Sequence, residues 1–165
     1  MDKEISELDD GISVKEKLPE MLNVITIMTL GYSSMIFISS TINLFIGKQF
    51  IEEIQTTLAD NSQEIEKIEN PFLLQLFNTG MDALDNFPIL NLITLSVAVI
   101  SITAAFLMRK LKKNGFFIYV LATFIEIGGP IYILGAGISA GIVIAGSVFS
   151  ILFIILYGVN LKHLK

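Results

Sequence analysis

The sequence predicts an all-α membrane protein: a four-helix transmembrane bundle whose extracytoplasmic loop carries two short amphipathic helices. Three observations lead there. The 165-residue chain is 53% hydrophobic, above the roughly 45–50% usual for soluble domains. Its charges are clustered, which leaves long tracts free of Asp, Glu, Lys and Arg. Those tracts lack the apolar–polar alternation of membrane β-strands, and in hydrocarbon a continuous apolar run satisfies its own backbone groups only as a helix.

Residues 1–18 read as an acidic cytoplasmic tail, with Pro19 near the start of the first helix. The first span, 21–47, carries no charge. It is too long for the apolar core of a signal peptide and follows an acidic rather than a basic segment. It is also polar for a span, with Thr26, Thr29, Ser33, Ser34, Ser39, Ser40, Thr41 and Asn43. Such hydroxyls bond back to their own helix or across to another, so this face either packs inside the bundle or lines a water-filled path.

The outer loop, 48–85, holds eight acidic residues and two basic ones. Within it, KQFIEEIQTTLAD puts Phe50, Ile51, Ile54 and Leu58 on one helical face. NPFLLQLFNTGMDAL opens with Asn70 as a candidate N-cap and Pro71 at the first helical position. Phe72, Leu73, Leu76, Phe77, Met81 and Leu84 give it a broad apolar face. Two amphipathic helices are expected here, joined by a turn at Asn61-Ser-Gln, lying on the membrane or folded back onto the bundle. The second span is 87–108. The stretch from 114 to 161 is interrupted only by Glu126. It is too long for one crossing of a core about 30 Å thick, which takes roughly 20 helical residues. The segment IGGPIYILGAGISAG supplies Gly and Pro for a turn near 134–139, dividing the stretch into a third span, 115–133, and a fourth, 140–161.

Orientation follows from the basic residues. Nine Lys and Arg fall on the side of the tail, the second link and the C-terminus, against two on the side of the outer loop. The richer side is expected to be cytoplasmic, with both termini there. Arg109, Lys110, Lys112 and Lys113 are accordingly a topology anchor, with contact to anionic lipid as a second role. No long basic patch exists, so no nucleic-acid partner is expected.

Glu126 is the leading candidate residue. It lies about twelve residues into the third span, roughly 18 Å from its cytoplasmic start. An ionised carboxylate at that depth costs at least a few kcal/mol, so it faces an interior or a cavity. The other three spans contain no Lys, Arg or His to pair with it. It is either a proton or cation site or a structural side chain bonded to a Ser, Thr, Asn or Tyr of a neighbouring helix. Gly137, Gly141 and Ala145 recur at four-residue spacing, which lets helix backbones approach closely. They suit packing inside the bundle or against a partner. Thr94 with Ala98 and Ser101 with Ala105 form similar pairs, and Tyr119, Tyr132 and Tyr157 suit interfacial or helix-contact positions.

The chain has no Cys, which removes disulfides, zinc–thiolate sites and thiol catalysis. The single His163 sits beside Lys162 with no acid or nucleophile near it in sequence. No phosphate-binding loop, HExxH or paired-acid motif occurs. No enzyme, metal or cofactor is expected.

Four stretches carry a resemblance: LPEMLNVITIMTLG at the first span, the acidic loop ending in NPF with the later NFPILNLI, MRKLKKNGFFIYV, and the closing FSILFIILYGVNLKHLK. Together they resemble a group of small, uncharacterised four-helix inner-membrane proteins of bacteria. The resemblance covers most of the chain and implies four spans in the bacterial inner membrane. It carries no activity, so no residue role passes through it. The expected function is a non-enzymatic accessory or structural subunit that joins a larger membrane complex through its outer loop or fourth span. The alternative is a small oligomeric transporter or channel using Glu126 and the polar face of the first span.

Overall fold

The computed structural model describes residues 18–60 and 69–165, and every regular element among them is helical. In chain order these are α1 (Glu20–Asp60), α2 (Pro71–Asp85), α3 (Phe87–Arg109), α4 (Lys113–Leu134), α5 (Ile138–Gly146) and α6 (Val148–Val159), closed by a 3-10 turn, Leu161–His163. The tail, up to residue 17, and the expected Asn61-Ser-Gln turn lie outside the described residues.

The first correction concerns the outer loop. α1 has 41 residues, about 60 Å at 1.5 Å per residue, or twice the hydrocarbon thickness. The first of the two expected loop helices is therefore a continuation of the first span. Nothing in 48–60 stops a helix: it contains no Pro and no Gly. Gly47, where a break might have fallen, is instead buried against the ring of Phe87. Lys48 reaches Glu52 one turn on, at 3.9 Å. α2 is a separate helix with the expected start. The Asn70 side-chain oxygen accepts from the Phe72 and Leu73 amides at 2.9 and 3.4 Å, and Pro71 opens the first turn.

α4 runs through Gly128-Gly129-Pro130 without stopping and ends at Leu134. The chain turns at Gly135, whose φ of 82° is a conformation glycine adopts without a side-chain clash. The expected single fourth helix is the second correction. It is broken at Ser147 into α5 and α6, which meet at a 49° bend. The Ser147 amide donates to both Val143 and Ile144 carbonyls, and its hydroxyl donates to Val143 at 2.9 Å. A Gly followed by a Ser that bonds back into the preceding turn is a known cause of sharp kinks.

α1, α3 and α4 are each long and apolar enough to cross a membrane, and α5 with α6 qualifies as a fourth crossing if the bent pair is counted together. α1 packs on α3, α3 on α4, α4 on α6, and α6 returns to α1, forming a ring. α5 departs from it and packs on α4 and α2 instead. The ring is tight at the end that carries the basic link. There Leu22, Ala104, Met108 and Tyr157 are fully buried. The Lys113 amide donates to the Lys165 carbonyl, and the Lys165 amide to Leu111, which ties the C-terminal residues to the α3–α4 link. Glu52, Asp82 and Asp85 stand at the opposite, acidic end.

The interior holds nearly as many polar as apolar residues, and large apolar side chains lie on the exterior. Thr26, Thr29, Ser33, Ser40, Asn91 and Ser101 are buried, whereas Phe45, Phe124 and Tyr132 are 80, 71 and 92% exposed. Soluble proteins bury apolar residues in preference to polar ones. In lipid, burial gives apolar groups no advantage, and helices associate through small residues and hydrogen bonds.

Close helix approach occurs at a glycine outside the expected Gly137–Gly141–Ala145 stripe. A Cβ on Gly115 would lie 2.7 Å from the Ala104 carbonyl oxygen and 2.8 Å from the Met108 amide. Both are backbone atoms of α3 that cannot swing aside. Gly141 and Ala145 are exposed, and a Cβ on Gly141 would meet nothing within 4 Å. Packing of that stripe inside the bundle is thus corrected: α5 turns it outward. Gly137 alone has a neighbour, the Gln75 side chain of α2. Gly115→Ala is expected to destabilise the protein by about 1–3 kcal/mol, the range for overpacking. Gly141→Ala should change stability by less than about 1 kcal/mol, within the Gly-to-Ala helix difference. Unfolding of both variants in detergent checks this.

Candidate functional site

Glu126 projects from α4 into the ring just above the level at which it is sealed. It is half-buried and lines a cavity of about 260 Å³. α1 contributes Tyr32 and Ser33 to the wall, and α3 contributes Thr94 and Ser101. The hinge Ser147 and Ser150 of α6 complete it. Ser150 lines the cavity together with Glu126 and Tyr119. The rest of the wall is apolar, with Ile36, Ile93, Val97 and Val143; a cavity of this size has room for several waters where two to four polar partners meet.

Pro130 lies four residues beyond Glu126 and also lines the cavity. Lacking an N–H, it cannot close the helical bond to the Glu126 carbonyl. One residue thus brings a carboxyl group and a main-chain carbonyl without its usual helical partner to the same stretch of α4. A carboxyl group with a carbonyl and neutral hydroxyls nearby suits a proton or a hard cation. Among the described residues no three His, Cys, Asp or Glu side chains gather as metal ligands, so the chemistry rests on one carboxyl group and neutral oxygens.

Below the cavity the polar chain continues towards the basic end. The rings of Tyr119 and Tyr157 meet edge to face, with centroids 5.3 Å apart at 67°. The Tyr157 and Thr29 hydroxyls are 2.7 Å apart and hydrogen-bonded. Thr29, Tyr119 and Tyr157 are all buried. The hydroxyl face of α1 thereby divides its work: Thr26 bonds to its own helix at the Leu22 carbonyl, Thr29 reaches α6, and Ser33 faces the cavity.

The remaining sequence candidates stand apart from Glu126. Arg109, Lys110, Lys112 and Lys113 are exposed at the basic end beside Lys162 and Lys165. The stripe of Gly137, Gly141 and Ala145 faces outward near the acidic end. Of the weaker small-residue pairs on α3, Ala98, Ser101 and Ala105 are buried, whereas Thr94 is exposed. Sequence reasoning did not single out Ser147, Ser150 or Gly115. Ser147 follows Gly146, a pairing that accompanies kinks, and it is the one local signal that pointed to the hinge.

No protein-family model matches the chain, and neither a curated relative nor a solved structure matches it.

The Thr29–Tyr157 bond is testable by a double-mutant cycle. Thr29→Val, Tyr157→Phe and the double variant should give a coupling near the membrane-protein average of about 0.6 kcal/mol, and below about 1.7 kcal/mol. Reversible unfolding in mixed micelles measures it.

Proposed function

We propose that this protein is a non-enzymatic, four-crossing membrane protein that binds a proton or small cation at Glu126 and passes it between helices. The observation that carries this reading is the cavity at Glu126. A single carboxyl group in the middle of the spans lines a space with room for water, and three further helices bring hydroxyls into its otherwise largely apolar wall. A purely structural Glu would need one or two hydrogen bonds and no cavity. The four-crossing reading is supported by the path of the bent pair. α5 begins beside α2 at the acidic end, and α6 ends where Lys165 meets the α3–α4 link. The pair therefore covers the same height as α4, whereas a re-entrant loop would return to the side it left. The basic end is assigned to the cytoplasm of a bacterial inner membrane by the positive-inside rule and by the resemblance set out above.

A second reading, an accessory subunit of a larger membrane complex, is favoured by a different observation. α2 buries none of its residues and leaves Phe72, Leu73 and Leu74 exposed. The small-residue face of α5 is open beside it.

Reconstitution separates the two readings. In liposomes with an imposed proton or cation gradient, the parent protein should carry flux, and Glu126→Gln, folded equally well, should fall to the protein-free background. Parent flux unchanged by the substitution would remove Glu126 from the function. Absence of flux together with a stoichiometric partner after native purification would favour the subunit reading.

A further inference from the structure

The Glu126 cavity is joined along α1 and α3 to two others. It shares Tyr32, Ile36 and Thr94 with a cleft of about 520 Å³. That cleft shares Asn43, Phe87 and Asn91 with a third, of about 470 Å³, at the acidic end. Between Tyr32 and Asn43 lie eleven helical steps, about 16 Å, or half of the hydrocarbon thickness.

Polar groups recur along the route between the apolar Met35, Ile36, Phe87 and Leu90 of its middle cleft. Ser39 and Thr94 are exposed along it. Asn91 donates its side-chain amide across the groove to the Ser40 carbonyl at 3.0 Å. Asn43 stands where the middle cleft meets the outer one. The outermost cleft is lined by Glu52 and Asp85 along with Lys48, and the Gln55 amide donates to Asp85 at 3.0 Å, bridging α1 to the α2–α3 corner. The route exists because α5 leans away at Ser147 to pack on α4 and α2, which leaves this side of α1 and α3 without a covering helix. In the opposite direction Tyr119, Tyr157, Met108 and Leu22 fill the ring.

We propose that Glu126 is reached by water and small cations from the acidic face alone, through this groove between α1 and α3, while the packed basic end closes the other side. The proposal rests on the reading of Glu126 as a proton or cation site, and it adds the side of access and the sign of the ligand. Two carboxylates against one lysine leave the mouth net negative, which raises the local concentration of cations and opposes anions. The groove supplies hydroxyl and amide groups that replace part of a hydration shell.

The chain contains no Cys, so single cysteines can be introduced into the parent protein directly. Right-side-out and inverted membrane vesicles are treated with small membrane-impermeant methanethiosulfonates, one cationic and one anionic. Glu53→Cys and Lys112→Cys report which face the reagent reaches. Ser39→Cys and Thr94→Cys should label from the Glu53 face, faster with the cationic reagent. Phe124→Cys, on the lipid-facing side of α4, and Ala104→Cys, in the seal, should stay unlabelled. Silence at both groove positions from the Glu53 face, labelling of Thr94→Cys from the Lys112 face, or faster reaction with the anionic reagent would each overturn the proposal. Each variant is accepted only if it elutes and melts as the parent does, and Ser39→Cys serves alone if Thr94→Cys does not. Labelling in the expected pattern with flux unaffected by Glu126→Gln would uphold the path and sink the transport reading. Silent groove cysteines with flux lost in Glu126→Gln would do the reverse.

Discussion

The hydrogen bond between Thr29 and Tyr157 joins α1 to α6 and closes the ring of helices. α1 and α6 are far apart in sequence and touch over a short stretch. In hydrocarbon, apolar contact alone gives little reason for two helices to meet, because lipid tails serve equally well. A shared hydroxyl proton does give one. Around that point Tyr119 stacks edge-on, Leu22 and Met108 are fully enclosed, and the C-terminal residues bond to the α3–α4 link. The seal at the basic end is built on this contact.

What lies above the seal depends on a local event in the last helix pair. At Ser147 the backbone amide is shared between two carbonyls and the hydroxyl bonds back to Val143. The 49° bend that results carries α5 out of the ring. Val143 and Gly146 of α5 still line the space that Glu126 faces. The kink and the carboxylate are thus two parts of one arrangement, lining the same space.

Much of this was legible in the sequence, and the failures have physical causes. Helix start signals worked where chemistry is local. Asn70 and Pro71 open α2 as their side chain and ring require, and Gly135 turns the chain between α4 and α5. The polar face of α1 was visible from composition, and its buried positions, Thr26, Thr29, Ser33 and Ser40, follow helical spacing. The depth of Glu126 could be counted from the start of its helix. The continuation of α1 past Gly47 could not be read, because a charge boundary marks where lipid ends and not where a helix ends. Gly115 was missed because close approach depends on which backbone lies opposite, information carried by α3. The Gly137–Gly141–Ala145 stripe misled for the same reason: spacing shows that a face is small, not that another helix lies against it. The cavity depends on the direction in which α5 leans, and no residue spacing encodes that.

α1 is one unbroken helix, and its length has a mechanical consequence. From Thr29, where it is pinned to α6, to Asp60 is 31 steps, about 46 Å of rise. A rod of that length pivoting at Thr29 by roughly 10° moves its far end by about 8 Å, with the rise per residue as the only input. At Gln55 the movement is nearly as large, well beyond the reach of its 3.0 Å bond to Asp85. α1 is also held to α3 beyond that point, by the Asn91 bond to the Ser40 carbonyl and by Gly47 against the Phe87 ring. A tilt of that size would have to carry α3 with it, so the 41-residue helix couples the two ends of the bundle as one rod.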